Sequence, residues 1–154
     1  MLRNRRTLVL TTAVLAIAVA FGVAFAQTPY QGLLAGVLAD IKSDSPWGII
    51  STEATYDTWQ AEAAFFLDVR TPEEYEAGHI PGAVNVPLET IPNNIDKLPE
   101  SQNALVIVYC KSGWRANLGM MTMRLLGYEN AKGYNDSWLG WTEAEYPVKE
   151  GMEP

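Results

Sequence analysis

The chain has 154 residues, 48% apolar and 19% charged, with one cysteine, one histidine and a formal net charge of −7. That length suits one domain, and the composition is not that of a disordered tail. A single cysteine excludes an internal disulfide framework and any CxxC or Cys₄ zinc site, and a single histidine excludes a His-pair metal site within the chain. The acidic balance excludes a general nucleic-acid binder, which needs a basic face.

Residues 1–26 read as an export signal. Arg3, Arg5 and Arg6 form a basic start, Leu8 to Phe25 is an uncharged and mostly apolar run, and Ala24-Phe25-Ala26 is a small-x-small cleavage site. Cleavage there makes Gln27 the new N-terminus. It removes three of the 11 basic residues and none of the 18 acidic ones, shifting the formal charge from −7 to about −10. The alternative is a retained anchor, since Leu8 to Ala26 is just long enough to span a bilayer. No cysteine follows the run, so a lipoprotein anchor is excluded. Either way the expected location is periplasmic or secreted, or membrane-anchored and facing outward. A membrane contact is expected only if this segment is retained.

Residues 27–47 are a lead-in, with Leu33, Leu34, Val37, Leu38 and Ile41 at helical spacing. Trp47 to Ile50 suits a first short strand. Ser51 and Thr52 can cap a helix over about Glu53 to Glu62. Ala64 to Val69 is an apolar run of strand length. Thr71-Pro72-Glu73-Glu74 then places an N-cap oxygen, a proline and two acids where a helix begins. Glu73, Glu74 and Glu76 read as its solvated face, and Gly78 ends it. Ala83 to Val86 is a further short strand, and residues 88–99 suit a short helix or loop. Ala104 to Tyr109 is a continuous apolar run, as expected for a parallel strand covered on both faces. A helix over about Arg115 to Leu126 follows. Leu118, Met121, Leu125 and Leu126 are its expected core stripe, and the methionines at 120, 121 and 123 read as packing residues. Residues 128–148 show little periodicity. Strands alternating with helices imply a mostly parallel α/β sheet, whose ligands bind beyond the C-terminal strand ends.

Cys110 stands at such an end. The segment Cys110-Lys111-Ser112-Gly113-Trp114-Arg115 joins the strongest strand to a helix. A tight loop there directs backbone N–H groups inward, Gly113 permits a positive φ, and Lys111 and Arg115 add positive charge. All three favour a thiolate over a thiol and so a nucleophile. A buried structural cysteine is the alternative, but it needs neither two cations nor a glycine within five residues.

The stretch Leu67-Asp68-Val69-Arg70-Thr71-Pro72-Glu73-Glu74-Tyr75-Glu76-Ala77-Gly78-His79-Ile80-Pro81-Gly82-Ala83-Val84-Asn85-Val86-Pro87 resembles the first signature of rhodanese domains. Cys110-Lys111-Ser112-Gly113-Trp114-Arg115 resembles their active-site loop. The resemblance covers about residues 48–149, with 150–154 left as a tail. It implies a rhodanese-like α/β fold, with about five mostly parallel strands and helices on both faces. It also implies sulfurtransferase chemistry through a persulfide on Cys110, which with the export signal makes the expected protein an exported single-domain sulfurtransferase. The donor would be a small sulfur anion such as thiosulfate, and the acceptor cyanide, an external thiol or a protein. No metal and no cofactor beyond the covalent persulfide is implied. Lys111, Ser112, Gly113, Trp114 and Arg115 would bind substrate, with Lys111 and Arg115 attracting the anion. Asp68 and Arg70 would support the site by holding loops. His79 reads as a turn residue, and Trp138 and Trp141 as core anchors. Related phosphatases need C-x₅-R, and the C-x₄-R found here suits a single sulfur atom. Trp114 either packs down to shield Cys110 or offers an apolar contact to an acceptor. The alternative function, of a different class, is a persulfide carrier or sulfur-sensing module without turnover.

Overall fold

A computed structural model describes residues 31–32, 34–35 and 48–154. The export signal lies outside the described residues, as does most of the lead-in; residues 31, 32, 34 and 35 are helical. Among the described residues no helix is long and apolar enough to cross a membrane.

Five parallel strands form one sheet in the order β1-β5-β4-β2-β3. They are β1 (Ile49–Ile50), β2 (Phe65–Asp68), β3 (Val84–Asn85), β4 (Val106–Tyr109) and β5 (Ala131–Tyr134). The helices are α1 (Thr52–Gln60), α2 (Pro72–Glu76), α3 (Trp114–Leu125) and α4 (Ser137–Glu143). Two 3₁₀ turns, Leu88–Asn93 and Ile95–Lys97, occupy the stretch between β3 and β4.

The sheet is covered on both faces, and alternation along its strands divides the core in two. Leu67, Val69, Val106 and Val108 point toward α3 and pack with Ala116, Met120 and Met123. Phe66, Ile107 and Tyr109 point the other way and pack with Tyr134 and Trp141. Trp141 is fully buried as an anchor, its Nε1 donating to the Pro147 carbonyl at 2.7 Å, while Trp138 is half-buried. All four residues of β4 are buried, as the apolar run predicts.

Helix α3 departs from the expected register. Its buried face is Ala116, Gly119, Met120 and Met123; of the expected stripe, Met121 and Leu126 are half-buried against the core, whereas Leu118 is 48% exposed and Leu125 also faces solvent. Small residues decide this. A Cβ at Gly119 would stand 2.8 Å from Val108 Cγ1, so the helix lies against the sheet on its glycine. Both faces of α3 carry helical spacing, and periodicity alone does not choose between them. Strand β5 lies within the stretch 128–148, which shows little periodicity. Its sequence, Ala-Lys-Gly-Tyr, lacks an apolar run because α3 crosses close above it: a Cβ at Gly133 would meet Asn117 Oδ1 at 2.6 Å.

The last residues pack back on the domain. His79 and Lys149 form an antiparallel bridge, and Gly151 N–H donates to the Glu76 carbonyl at 2.8 Å. His79 is buried and stacked on Tyr75, with ring nitrogens 3.0 Å from the carbonyls of Tyr75 and Glu153. Nδ1 faces the turn and Nε2 the C-terminal tail, so His79 has a structural place in the turn, as its reading as a turn residue predicts.

Candidate active site

Strand β4 delivers Cys110 to the C-terminal edge of the sheet, and α3 begins four residues later. The intervening loop turns back on the sulfur. Gly113 adopts φ +97°, and its N–H donates to Cys110 Sγ at 3.2 Å. The N-terminus of α3 follows at once, so its positive end faces the same region. A donor N–H and a helix N-terminus both stabilise negative charge on sulfur.

The other side of the loop is held by α4. Cys110 N–H donates to Ser137 Oγ at 3.1 Å, and Ser137 Oγ donates to the Tyr134 carbonyl at 2.6 Å. The same hydroxyl lies 3.9 Å from Sγ. The opening N–H groups of α4 donate to the loop carbonyls, Trp138 to Cys110 at 3.0 Å and Leu139 to Lys111 at 3.1 Å. Helix ends leave such donors unpaired, and here the loop satisfies them. Ser137 is fully buried at φ +54°, an uncommon backbone for a residue with a side chain. The sequence does not mark Ser137, which falls in the stretch 128–148 that lacks clear periodicity.

The expected site residues separate by exposure. Cys110 is 0% exposed and Gly113 is buried, whereas Lys111, Ser112 and Trp114 are exposed. Trp114, at 65%, does not pack down over the sulfur. An open cleft of about 500 Å³ adjoins the loop, lined by Thr52, Ser112, Asn135, Asp136, Leu139 and Glu143 among others. Cys110 is not among its lining residues.

Asp68 and Arg70 form a buried ion pair at the end of β2, next to Tyr109 in register. Arg70 Nε and Nη2 reach the carboxylate at 2.6–3.0 Å, and Nη2 also donates to the Gly78 carbonyl at 2.7 Å. Burial alone would lower the Arg70 pKa, but the hydrogen bonds and charge of Asp68 raise it above its usual value. Trp138 lies over the guanidinium, 4.7 Å from ring centroid to Cζ. This pair ties β2 to the turn before β3.

Arg115 carries an ion pair that the sequence does not show. Its two terminal nitrogens donate to Glu74 at 2.8 and 3.0 Å, a two-point ion pair between α3 and α2. The expected solvated face of α2 therefore holds at Glu73 and Glu76, which are exposed, and fails at Glu74. Glu74 also closes a capping box: its carboxylate accepts from Thr71 N–H at 3.1 Å, while Thr71 Oγ1 accepts from Glu74 N–H at 3.3 Å. The Arg115 hydrogen bonds hold the Glu74 pKa down at about 2, despite partial desolvation. Only tertiary structure brings these two residues together, 41 positions apart.

The Rhodanese-like domain family matches residues 52–144. Thiosulfate sulfurtransferase PspE of Escherichia coli is 30% identical over 92 residues, which cover 58% of this chain and 88% of that one. A sulfurtransferase of Allochromatium vinosum is 28% identical over 87 residues, covering 56% of this chain and 79% of that one. The crystal structure of a rhodanese-related protein from Thermoplasma volcanium superposes with a TM-score of 0.60 at 25% identity, over 70% of this chain and all of that one. With its parallel sheet and a cysteine presented at the β4 edge, the chain belongs to the rhodanese-like domain family, whose relatives named here include sulfurtransferases.

Proposed function

We propose that the chain is an exported sulfurtransferase that moves sulfane sulfur, from donors that include thiosulfate, to a thiophilic acceptor through a persulfide on Cys110. The observation that carries this reading is the Gly113 N–H held 3.2 Å from the sulfur of the chain's one cysteine. The Cys110 thiolate attacks the outer sulfur of thiosulfate, the S–S bond breaks, and sulfite leaves with its electron pair. Cyanide, a thiol or a protein acceptor then attacks the outer sulfur of the persulfide, and the Cys110 thiolate is released. The Gly113 N–H stabilises the anionic sulfur in both half-reactions. With one cysteine in the sequence, no second thiol resolves the persulfide internally, so the acceptor comes from outside the chain. The basic start and apolar run of residues 1–26 support export.

Three measurements test the reading. The protein is incubated with thiosulfate and, separately, with an alkyl persulfide, and its intact mass is recorded. A gain of one sulfur that Cys110→Ser lacks is expected; no gain from either donor refutes the function. Thiocyanate formed with cyanide distinguishes turnover from a carrier that loads once. Export is read from the N-terminus of the full chain expressed in a bacterium. Gln27 is expected there, and an intact Met1 in the cytoplasm refutes it.

A further inference from the structure

Three arginine and lysine side chains approach the Cys110 loop, and two of them are already neutralised. Arg70 is spent on Asp68 and the Gly78 carbonyl, in a pair that is almost fully buried. Arg115 gives both terminal nitrogens to Glu74. Among the described residues, Lys111 alone remains on the loop as an exposed cation without an ion pair. The adjoining cleft carries two carboxylates, Asp136 and Glu143, with Asp136 accepting from Thr52 Oγ1 at 2.9 Å. The surface around Ser112 therefore offers one unpaired lysine against two acids.

We infer that Glu74 is a specificity-determining residue that withdraws Arg115 from the donor and tunes the site toward alkyl persulfides rather than dianionic thiosulfate. This inference rests on the sulfurtransferase reading and names its donor class. Thiosulfate brings two negative charges to the loop and leaves two on the departing sulfite, so both steps need unpaired cations. With an alkyl persulfide, the Cys110 thiolate attacks the outer sulfur of R–S–SH, the S–S bond breaks, and R–S⁻ leaves with its electron pair. Total charge stays at one throughout, and no oxidant or reductant is consumed. Such a reaction asks for N–H donors at sulfur, which Gly113 supplies, and not for a free guanidinium. Arg115 stands five residues after Cys110, in the first turn of the helix that the loop opens, so its pairing state bears on the charge a donor meets there.

Glu74→Gln is the direct test, because glutamine keeps the capping-box acceptor while removing the charge. Each variant is assayed with thiosulfate and with 2-hydroxyethyl persulfide, whose alkyl group is uncharged, cyanide being the acceptor for both. The readout is the ratio of kcat/KM for thiosulfate to kcat/KM for the persulfide. Glu74→Gln is expected to raise this ratio about tenfold at low ionic strength, within the range that charge focusing gives. Glu74→Gln combined with Arg115→Met should return it to the wild-type value. A ratio that does not move, or a gain that survives loss of Arg115, overturns the inference. Salt dependence in the unmodified protein gives a second measurement that needs no variant. Its kcat/KM for thiosulfate should stay flat or rise with salt, and a steep fall would mean that a free cation already serves the donor. Wild-type protein that takes sulfur from neither donor overturns the parent reading as well, whereas normal transfer with an unmoved ratio overturns this inference alone.

Discussion

Gly113→Ala is the sharpest test of the loop as a sulfur cradle. At φ +97° an L-residue is strained by about 1–3 kcal/mol. The added methyl has nowhere to go, because its carbon would stand 2.0 Å from the Asn135 carbonyl oxygen and 2.9 Å from the carbonyl carbon. Those atoms are backbone, so no rotamer change relieves the overlap. Ordinary contact requires the loop or the β5–α4 connection to retreat by about an ångström. That connection leads directly into Ser137, Trp138 and Leu139, which hold Cys110 and Lys111 through three hydrogen bonds of 3.0–3.1 Å. Strain and overpacking together are expected to cost about 2–4 kcal/mol. The Gly113 N–H is expected to leave Sγ. Urea unfolding should show a lower midpoint with an unchanged slope, and intact mass after thiosulfate or persulfide should show little added sulfur. A Gly113→Ala protein with stability within about 0.5 kcal/mol of wild type and full sulfur loading would refute the packing argument.

Asp68→Asn leaves the Arg70 guanidinium, 2% exposed, without its counter-charge. Breaking a buried pair on one side is expected to cost about 3–5 kcal/mol in urea unfolding; a loss under about 1 kcal/mol would show the pair to be no more than a surface contact. Glu74 has its pKa lowered from 4.5 to about 2, so its contribution is complete above about 4.5 and is lost as pH falls through about 2. The pair is partly exposed, so solvent screening limits that contribution to at most about 1 kcal/mol. Urea midpoints across that acid range should fall less steeply in Glu74→Gln than in wild type, and parallel profiles would contradict the assignment. Trp114→Ala removes a side chain that is 65% exposed and should change stability by no more than about 0.5 kcal/mol. Transfer to a bulky thiol is expected to slow while transfer to cyanide does not; equal rates for both acceptors would deny Trp114 an acceptor contact.

Much of the fold was legible because its signals are local. The Val106–Tyr109 strand announces itself as a buried apolar run, and Thr71-Pro72-Glu73-Glu74 announces a helix start with a capping box that the structure shows in full. Local signals fail where a close approach replaces apolar bulk. Strand β5 carries Gly133 because α3 crosses above it, and α3 itself buries Ala116 and Gly119 while turning Leu118 outward. Hydrophobicity read along the chain looks for large side chains. It therefore misplaces an interface built on small ones, where shortness lets two backbones approach. The site divides along the same line. Cys110 and Gly113 are three residues apart, and their relation follows from a strand-to-helix turn. Glu74 and Ser137 reach the loop only through sheet order, from 36 positions before Cys110 and 27 after it. The charge of that loop is consequently a tertiary property. Lys111 and Arg115 both count as positive in the sequence, yet Arg115 is cancelled by a carboxylate whose own motif concerns only the start of α2. The charge presented at the loop therefore depends on the Arg115–Glu74 pair as well as on the loop motif.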